Sequence, residues 1–411
     1  MILKCVTCGR EYDPAELDYT CPDCGPIAGT CEVRYDYEQI SRRFSRETLQ
    51  RNPDPTHWRY LPLLPVLQPA HIQPLAVGGT PLYRARQLEQ SWDIGQIWVK
   101  DDGRNPTASL KDRASSLAVV KALEKGATAV TAASTGNAAS SWSAFTALAG
   151  LPNYIFVPAG APRAKLAQLL LYGATVIKVN GSYDQAFDLC CQAAEKWGWY
   201  NRSTAINPYL GEGKKTAALE LCEQLGWEVP DYVLVSVGDG CIFQGMWKGF
   251  CDLHRLGLIE RLPKMIGVQA AGSAPLVQAW EAGWERCKPR QAHTVADSIS
   301  VGIPRDQVKA LQAVRASGGR FIAVSDADIL EAIPLLARRV GVFAEPAGAT
   351  ALAGLKQLAG SGIFTAKDTV AVMVTGHGLK DIDGAMKAVS QTPLEIENNL
   401  EDVAAKLSLP V

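Results

Sequence analysis

From Gln96 onward, short apolar, β-branched runs alternate with helical patterns, and this alternation constrains the fold more than any other feature of the chain. Strands are predicted at 96–99, 127–132, 153–157, 175–179, 232–237, 264–269, 321–324 and 369–374. These runs are too uniformly apolar for a sheet with one solvated face, and helical stretches lie between most of them. The combination implies parallel sheets covered by helices on both sides. Open parallel sheets bind ligands beyond the carboxyl ends of their strands, so chemistry is sought in the turns that follow them.

The first 25 residues differ in kind. Cys5-Val-Thr-Cys8 and Cys21-Pro-Asp-Cys24 are two CxxC pairs with twelve residues between them, each leading into a glycine turn. Four thiolates from two such knuckles make a tetrahedral zinc site; a redox pair or free thiols are the alternatives. A sheet this small needs a staple, and four thiolates leave no open position for catalysis, so a zinc here is structural. Cys31 is spare and reads as a small apolar packing residue. A connecting region, rich in Pro and Arg between Arg42 and Pro74, ends in the turn Gly78-Gly79-Thr80-Pro81-Leu82. The tail after Asp381 reads as a helix, a proline-containing turn and a final helix.

With 411 residues the chain has room for two or three domains. A formal charge of −1 offers no basic excess for a nucleic-acid or anionic-membrane partner. No apolar run of about 18 residues appears, and the first residues lack a signal-peptide layout. Eleven cysteines, scattered after the first four, do not form a secreted disulfide framework; a reducing cytoplasm is the expected location.

The stretch Val99 to Arg113, VKDDGRNPTASLKDR, leaves the predicted strand at 96–99, crosses a Gly/Asn/Pro turn and enters an apolar-periodic helix. Lys111 stands at the helix entrance behind Thr107 and Ser109, either of which could cap it. The positive end of the helix dipole disfavours a cation there and favours the free amine, the form that condenses with a carbonyl. For a lysine considered alone, a solvated surface turn is the ordinary alternative. Three further segments each follow a predicted strand. Ser134-Thr135-Gly136-Asn137 opens a helix and offers hydroxyls and free N–H groups to a carboxylate, though the same pattern serves as a plain N-cap. Gly238-Asp239-Gly240-Cys241-Ile242, before a helix expected near Gln244, has the strand–glycine–helix layout of a phosphate cradle. The third is Val374-Thr375-Gly376-His377-Gly378-Leu379-Lys380-Asp381.

NPTASLKDR resembles the NPTGSFKDR segment of threonine synthases, whose lysine forms a Schiff base with pyridoxal 5'-phosphate. The GGTPL turn, the STGN turn, the glycine loop, the TGHGLKD segment, AEPAGATALAGL (residues 344–355) and the ribbon with its YDYE sequel are similar to that family too. The resemblance covers most of the chain and implies a fold-type II pyridoxal-phosphate enzyme, akin to the tryptophan synthase β subunit. Two doubly wound α/β domains then follow the ribbon. Residues 1–40 are expected to form the ribbon, 41–95 with 211–411 the larger cofactor-binding domain, and 96–210 a smaller, mobile domain. A homodimer is implied by the resemblance alone. By the same carry-over Lys111 is the cofactor lysine and catalytic base, and Ser134, Thr135 and Gly136 bind the substrate carboxylate. Asn137 bonds the cofactor's phenolic oxygen, and Gly238, Asp239, Gly240, Cys241 and Ile242 hold its phosphate by backbone amides, with the Asp239 carboxylate turned away. Thr375 places its hydroxyl on the pyridine nitrogen, a partner that leaves the ring a weaker electron sink than a carboxylate would and favours elimination and replacement. His377 and Lys380 read as structural.

The resemblance further implies a reaction: phosphate leaves the γ-carbon of O-phospho-L-homoserine and water adds at the β-carbon, which requires a second anion site. The family builds part of that site from N-S-x-N-P-[YH]-R-x-E-G-x-K-T, using its Asn, Ser and Arg. Here the frame reads Thr204-Ala205-Ile206-Asn207-Pro208-Tyr209-Leu210-Gly211-Glu212-Gly213-Lys214-Lys215-Thr216, with Thr, Ala and Leu in the three ligand positions. Ala138 also stands where a hydroxyl-bearing Thr is usual. Replacing a bidentate phosphate ligand by leucine removes several kcal/mol of anion binding. Either Lys214, Lys215, Arg113 or Arg305 supplies a relocated site, or the substrate is a smaller amino acid such as serine, threonine or an O-activated serine, turned over by β-elimination or β-replacement. A cofactor-binding protein with a regulatory or scaffold use is the reading from another class.

Overall fold

A computed structural model describes residues 1–161, 163–181 and 183–409. The chain opens with β1 (Ile2–Cys5), β2 (Glu11–Tyr12) and β3 (Cys31–Arg34), an antiparallel sheet in the order β2-β1-β3. β4 (Leu82–Arg84) and β5 (Gln96–Asp101) follow, then β6 (Val130–Ala133), β7 (Asn153–Pro158), β8 (Thr175–Val179) and β9 (Tyr200–Asn201). β10 (Tyr232–Ser236), β11 (Lys264–Ala270), β12 (Arg320–Val324) and β13 (Thr369–Val374) complete the set. A six-stranded sheet runs β12-β11-β10-β13-β5-β4, parallel except for β4; a four-stranded, wholly parallel sheet runs β8-β7-β6-β9. All eight predicted strands are present, with ends shifted by up to three residues.

The expected boundary at residue 96 is corrected. β5 pairs with β13 from Gln96 through Asp101, so the strand leading to Lys111 belongs to the six-stranded sheet, and the smaller sheet begins only at β6. The reason is legible in the pairing: β5 is flanked on both sides, by β13 and β4, and its inward side chains Ile97 and Val99 join the core built by Leu234, Val370 and Val372. Strands β2, β4 and β9 are only two or three residues long and carry no periodic signal of their own.

Two helices carry the chain between the sheets. α1 (Lys111–Glu124) leaves the large sheet, with α2 (Asn137–Leu148) after β6; α3 (Tyr209–Gln224) returns, followed by α4 (Cys241–Arg255) after β10. α1 and α3 approach so closely that a Cβ on Gly213 would lie 2.0 Å from the Arg113 carbonyl oxygen, which leaves glycine as the one residue that fits. A buried ionic network locks this crossing. Arg113 donates to both oxygens of Asp102 (2.6 and 2.9 Å) and to Glu220 (3.0 and 3.1 Å), and Lys100 also pairs with Glu220. Glu220 in turn accepts the backbone N–H of Gly79 and Thr80 at 2.9 and 2.8 Å, which explains the Gly78–Leu82 turn. Burial alone would raise the Glu220 carboxyl, but Arg113 and then Lys100 hold it well below the usual carboxylate range.

Candidate active site

The lysine turn is held from both sides. The N–H of Leu110 donates to the Thr375 carbonyl at 2.9 Å, and that of His377 to the Ala108 carbonyl at 3.0 Å. Neither expected hydroxyl caps α1. Thr107 instead clamps Asp112, whose carboxylate accepts the Thr107 N–H at 2.6 Å and its hydroxyl at 2.5 Å, while the Ser109 hydroxyl is buried without a hydrogen-bond partner among the described residues. The turn needs a left-handed residue, and Ala108 takes that conformation at φ 63°. Lys111 is thereby aimed into a cleft of about 940 Å³, within the range of small-molecule sites. Its amine is pushed down to about 8, chiefly by burial and then by the charges of Lys214 and Arg202. Those causes, more than the helix dipole, account for the shift.

Every residue singled out beyond the ribbon as a site residue lines this one cleft. Ser134, Thr135, Gly136 and Asn137 line it from the end of β6. Gly238, Asp239, Gly240, Cys241 and Ile242 line it from the end of β10, and Thr375 from the end of β13. The helix after the glycine loop begins at Cys241 and not near Gln244, because Gly240, at φ 92°, already serves as its N-cap. Cys241 and Ile242 are therefore first-turn residues whose N–H groups have no partner inside the helix. A side chain at Gly240 is excluded twice, by that φ and by a Cβ that would sit 2.7 Å from the Cβ of Ala310. The Asp239 carboxylate accepts the backbone N–H of Arg305 at 3.0 Å.

Glu345 also belongs to the cleft and was not singled out from the sequence. It occupies the N-cap position of the helix Pro346–Leu358, is 3% exposed, and accepts from Asn137 Nδ2 at 2.8 Å. Burial pushes its carboxyl up to about 7 against the opposing charges of Lys111 and Lys380. A lone glutamate inside the apolar stretch AEPAGATALAGL was the available signal. Two of the four cations considered for a relocated anion site are spent elsewhere. Lys215 is buried between Glu212 and Asp252, each at 2.6 Å, and Arg113 is in the network above. Leu210 is buried in the core of the smaller sheet and does not line the cleft.

In the N-terminal segment, the sulfur atoms of Cys5, Cys8, Cys21 and Cys24 all lie within 4.8 Å of one another. Gly9 and Gly25, each at φ 74°, make the matching turns after Cys8 and Cys24. Cys31 stays out of the group, its thiol donating to the Gly29 carbonyl at 3.5 Å.

A half-buried lysine with a depressed pKa shares one cleft with a glycine-lined helix N-terminus, an arrangement suited to an enzyme that holds a phosphorylated aldehyde cofactor. The comparisons with known proteins agree. The family model "pyridoxal-phosphate dependent enzyme" matches residues 74–376. The threonine synthase of Methanocaldococcus jannaschii is 43% identical over 399 residues, covering 97% of both chains. That of Methanosarcina acetivorans is 40% identical over 408 residues, covering 98% of this chain and 97% of its own. Among solved structures, the processed threonine deaminase isoform 2 of Solanum lycopersicum matches with a TM-score of 0.66 at 18% identity, over 88% of this chain and 96% of that one. That likeness speaks for the fold. The chain belongs to the pyridoxal-phosphate dependent enzymes and, within them, to the threonine synthase family.

Proposed function

We propose that this chain converts O-phospho-L-homoserine and water to L-threonine and phosphate, as a pyridoxal-phosphate-dependent carbon–oxygen lyase. The observation that carries the reading is the convergence on one cleft of Lys111 and the three strand-end segments, in a chain similar over its whole length to threonine synthases. The residues present fit the cofactor: the glycine loop leaves free amides at the start of α4, and no residue with a Cβ fits at Gly240. When bound, the cofactor supplies an electron sink conjugated with the substrate's α-carbon. Lys111, partly deprotonated near neutral pH by its depressed pKa, anchors it and then moves a proton at that carbon. Ser134, Thr135 and Gly136 hold the substrate carboxylate, Asn137 and Thr375 orient the cofactor ring, and Gly238 to Ile242 take its phosphate. Approach of the smaller sheet toward the larger would exclude water between steps. The alternative of β-elimination or β-replacement on serine or threonine rests on the departures at Thr204, Ala205, Leu210 and Ala138 and is not favoured.

The four-cysteine group is proposed to hold one structural zinc, supported by four sulfur atoms at mutual ligand distance and by the two glycine turns. A homodimer is proposed from family resemblance. A cytoplasmic location is proposed from the chain's eleven cysteines, none of which is paired in a disulfide among the described residues. No helix among the described residues is long and apolar enough to cross a membrane. The test of function is an assay of the purified, cofactor-loaded enzyme. Threonine and phosphate formed from O-phospho-L-homoserine are expected. Silence there, with turnover of L-serine, L-threonine, O-phospho-L-serine or O-acetyl-L-serine, would overturn the reading.

A further inference from the structure

Lys214 is 2% exposed and, among the described residues, its amine has neither an ion-pair nor a hydrogen-bond partner, yet it lines the cleft. A buried cation without a counter-charge is costly, and the ordinary compensation is a bound anion. Its position is fixed by close packing of α3 on α4: a Cβ on Gly245 would lie 3.1 Å from the Lys214 Cβ. Across the cleft, Arg202 is also 2% exposed and lines the same space. Its backbone N–H donates to the Thr131 carbonyl of β6 at 3.0 Å, which seats it beside the strand leading to Ser134–Asn137. Its Nη2 donates to Ser115 Oγ at 3.1 Å, which orients the guanidinium. Ser203 and Thr204, the next two residues, line the cleft as well.

We infer that Arg202 and Lys214 form a second anion subsite, which takes the phosphate of a phosphorylated amino-acid substrate in place of the arginine that Leu210 replaces. The inference rests on the function proposed above. The cofactor's phosphate has its own cradle in the amides at the start of α4, and the substrate carboxylate has Ser134–Gly136. Arg202 is seated beside the strand that leads into the carboxylate cradle, so the group it receives is assigned to the substrate. Its planar fork suits a phosphate, and Lys214 adds a point charge from the other side. Both charges also bear on the Lys111 amine, which places all three around one volume. Of the acidic residues nearby, Asp239 accepts the Arg305 N–H, Glu345 accepts from Asn137, Asp306 pairs with Lys309 at 3.0 Å and Asp184 with the Arg305 guanidinium at 3.4 Å; Asp297 also lines the cleft.

The test uses the cofactor-loaded enzyme, with inorganic phosphate as the probe. Arg202→Leu and Lys214→Leu are each expected to raise the phosphate inhibition constant and the KM for O-phospho-L-homoserine together, by about tenfold to a hundredfold. The visible absorbance of the cofactor should persist, and Arg202→Lys and Lys214→Arg should recover part of the loss. Unmoved inhibition in variants that keep their cofactor overturns the subsite. So does a Lys214→Leu enzyme that sheds cofactor while its loaded fraction responds to phosphate as before, since Lys214 then serves the cofactor. If the unmodified enzyme consumes O-phospho-L-homoserine and the variants do not move, the subsite alone fails. If the unmodified enzyme ignores both that compound and phosphate, the proposed function fails.

Discussion

Lys111 illustrates how a single side chain acquires chemistry from its surroundings. Burial and two neighbouring cations bring its amine down to about 8, so a useful fraction is unprotonated near neutral pH. Uptake of pyridoxal phosphate by the apoenzyme should therefore speed up with rising pH with a midpoint near 8, measured by stopped-flow absorbance; a midpoint above the ordinary lysine value of 10.5 would contradict the assignment. Lys111→Ala should abolish the cofactor's visible band and all turnover, and any retained activity would remove the lysine from the centre of the mechanism. Glu345 works in the opposite sense. Its folded carboxyl sits at about 7 against 4.5 for the ordinary group, so the folded state binds the extra proton between those values. That contribution to stability is complete below about pH 4.5 and is lost as pH rises through 7. Glu345→Gln should flatten this part of the apoenzyme's stability–pH profile. In the sequence Lys111 was visible through its turn and helix together with the resemblance of NPTASLKDR to the family segment, whereas Glu345 was not. Its interest comes from Asn137 and Lys111, which lie 208 and 234 positions away and meet it only in the fold.

Among the elements, the strand-end turns were legible because glycine, hydroxyl and proline clusters punctuate apolar runs in the sequence itself. Their internal geometry was less so. Capping by Thr107 or Ser109 was a sound local expectation, but Asp112 captures Thr107 and the backbone of β13's end captures the turn. The left-handed Ala108 carries a cost at this site, and Ala108→Gly should raise stability by about 1 kcal/mol, read by denaturant unfolding. Gly240→Ala should do the reverse. A Cβ there meets both an unfavourable φ and Ala310, so we expect a loss of about 1–3 kcal/mol together with weakened cofactor retention. Retention equal to the parent enzyme would show that the loop relaxes without consequence for the cradle.

At the scale of the whole molecule, parallel-sheet architecture followed from apolar alternation, but the division between sheets did not. Assigning β5 requires knowing its partners, and β13, the neighbour that claims it, lies some 270 residues downstream. The network that joins α1 to α3 was equally hidden, because Asp102 and Glu220 look like ordinary surface charges in sequence and Arg113 reads as a candidate anion ligand. Removing one member should be severe: Glu220→Gln leaves Arg113 and Lys100 buried without their shared carboxylate and should cost about 3–5 kcal/mol in thermal or denaturant unfolding. For the ribbon, elemental analysis should find about one zinc per chain, lost when Cys5 and Cys8 become Ser. The course of β5 has a geometric corollary. Lys111 and the glycine loop are both rooted in the six-stranded sheet, whereas Ser134–Asn137 hang from the four-stranded one. On the proposed roles, a relative displacement of the sheets would leave the span from lysine to cofactor phosphate constant and alter only the span from lysine to substrate carboxylate. An enzyme built this way would grip its cofactor at a fixed bite while the jaw that measures the amino acid was free to travel.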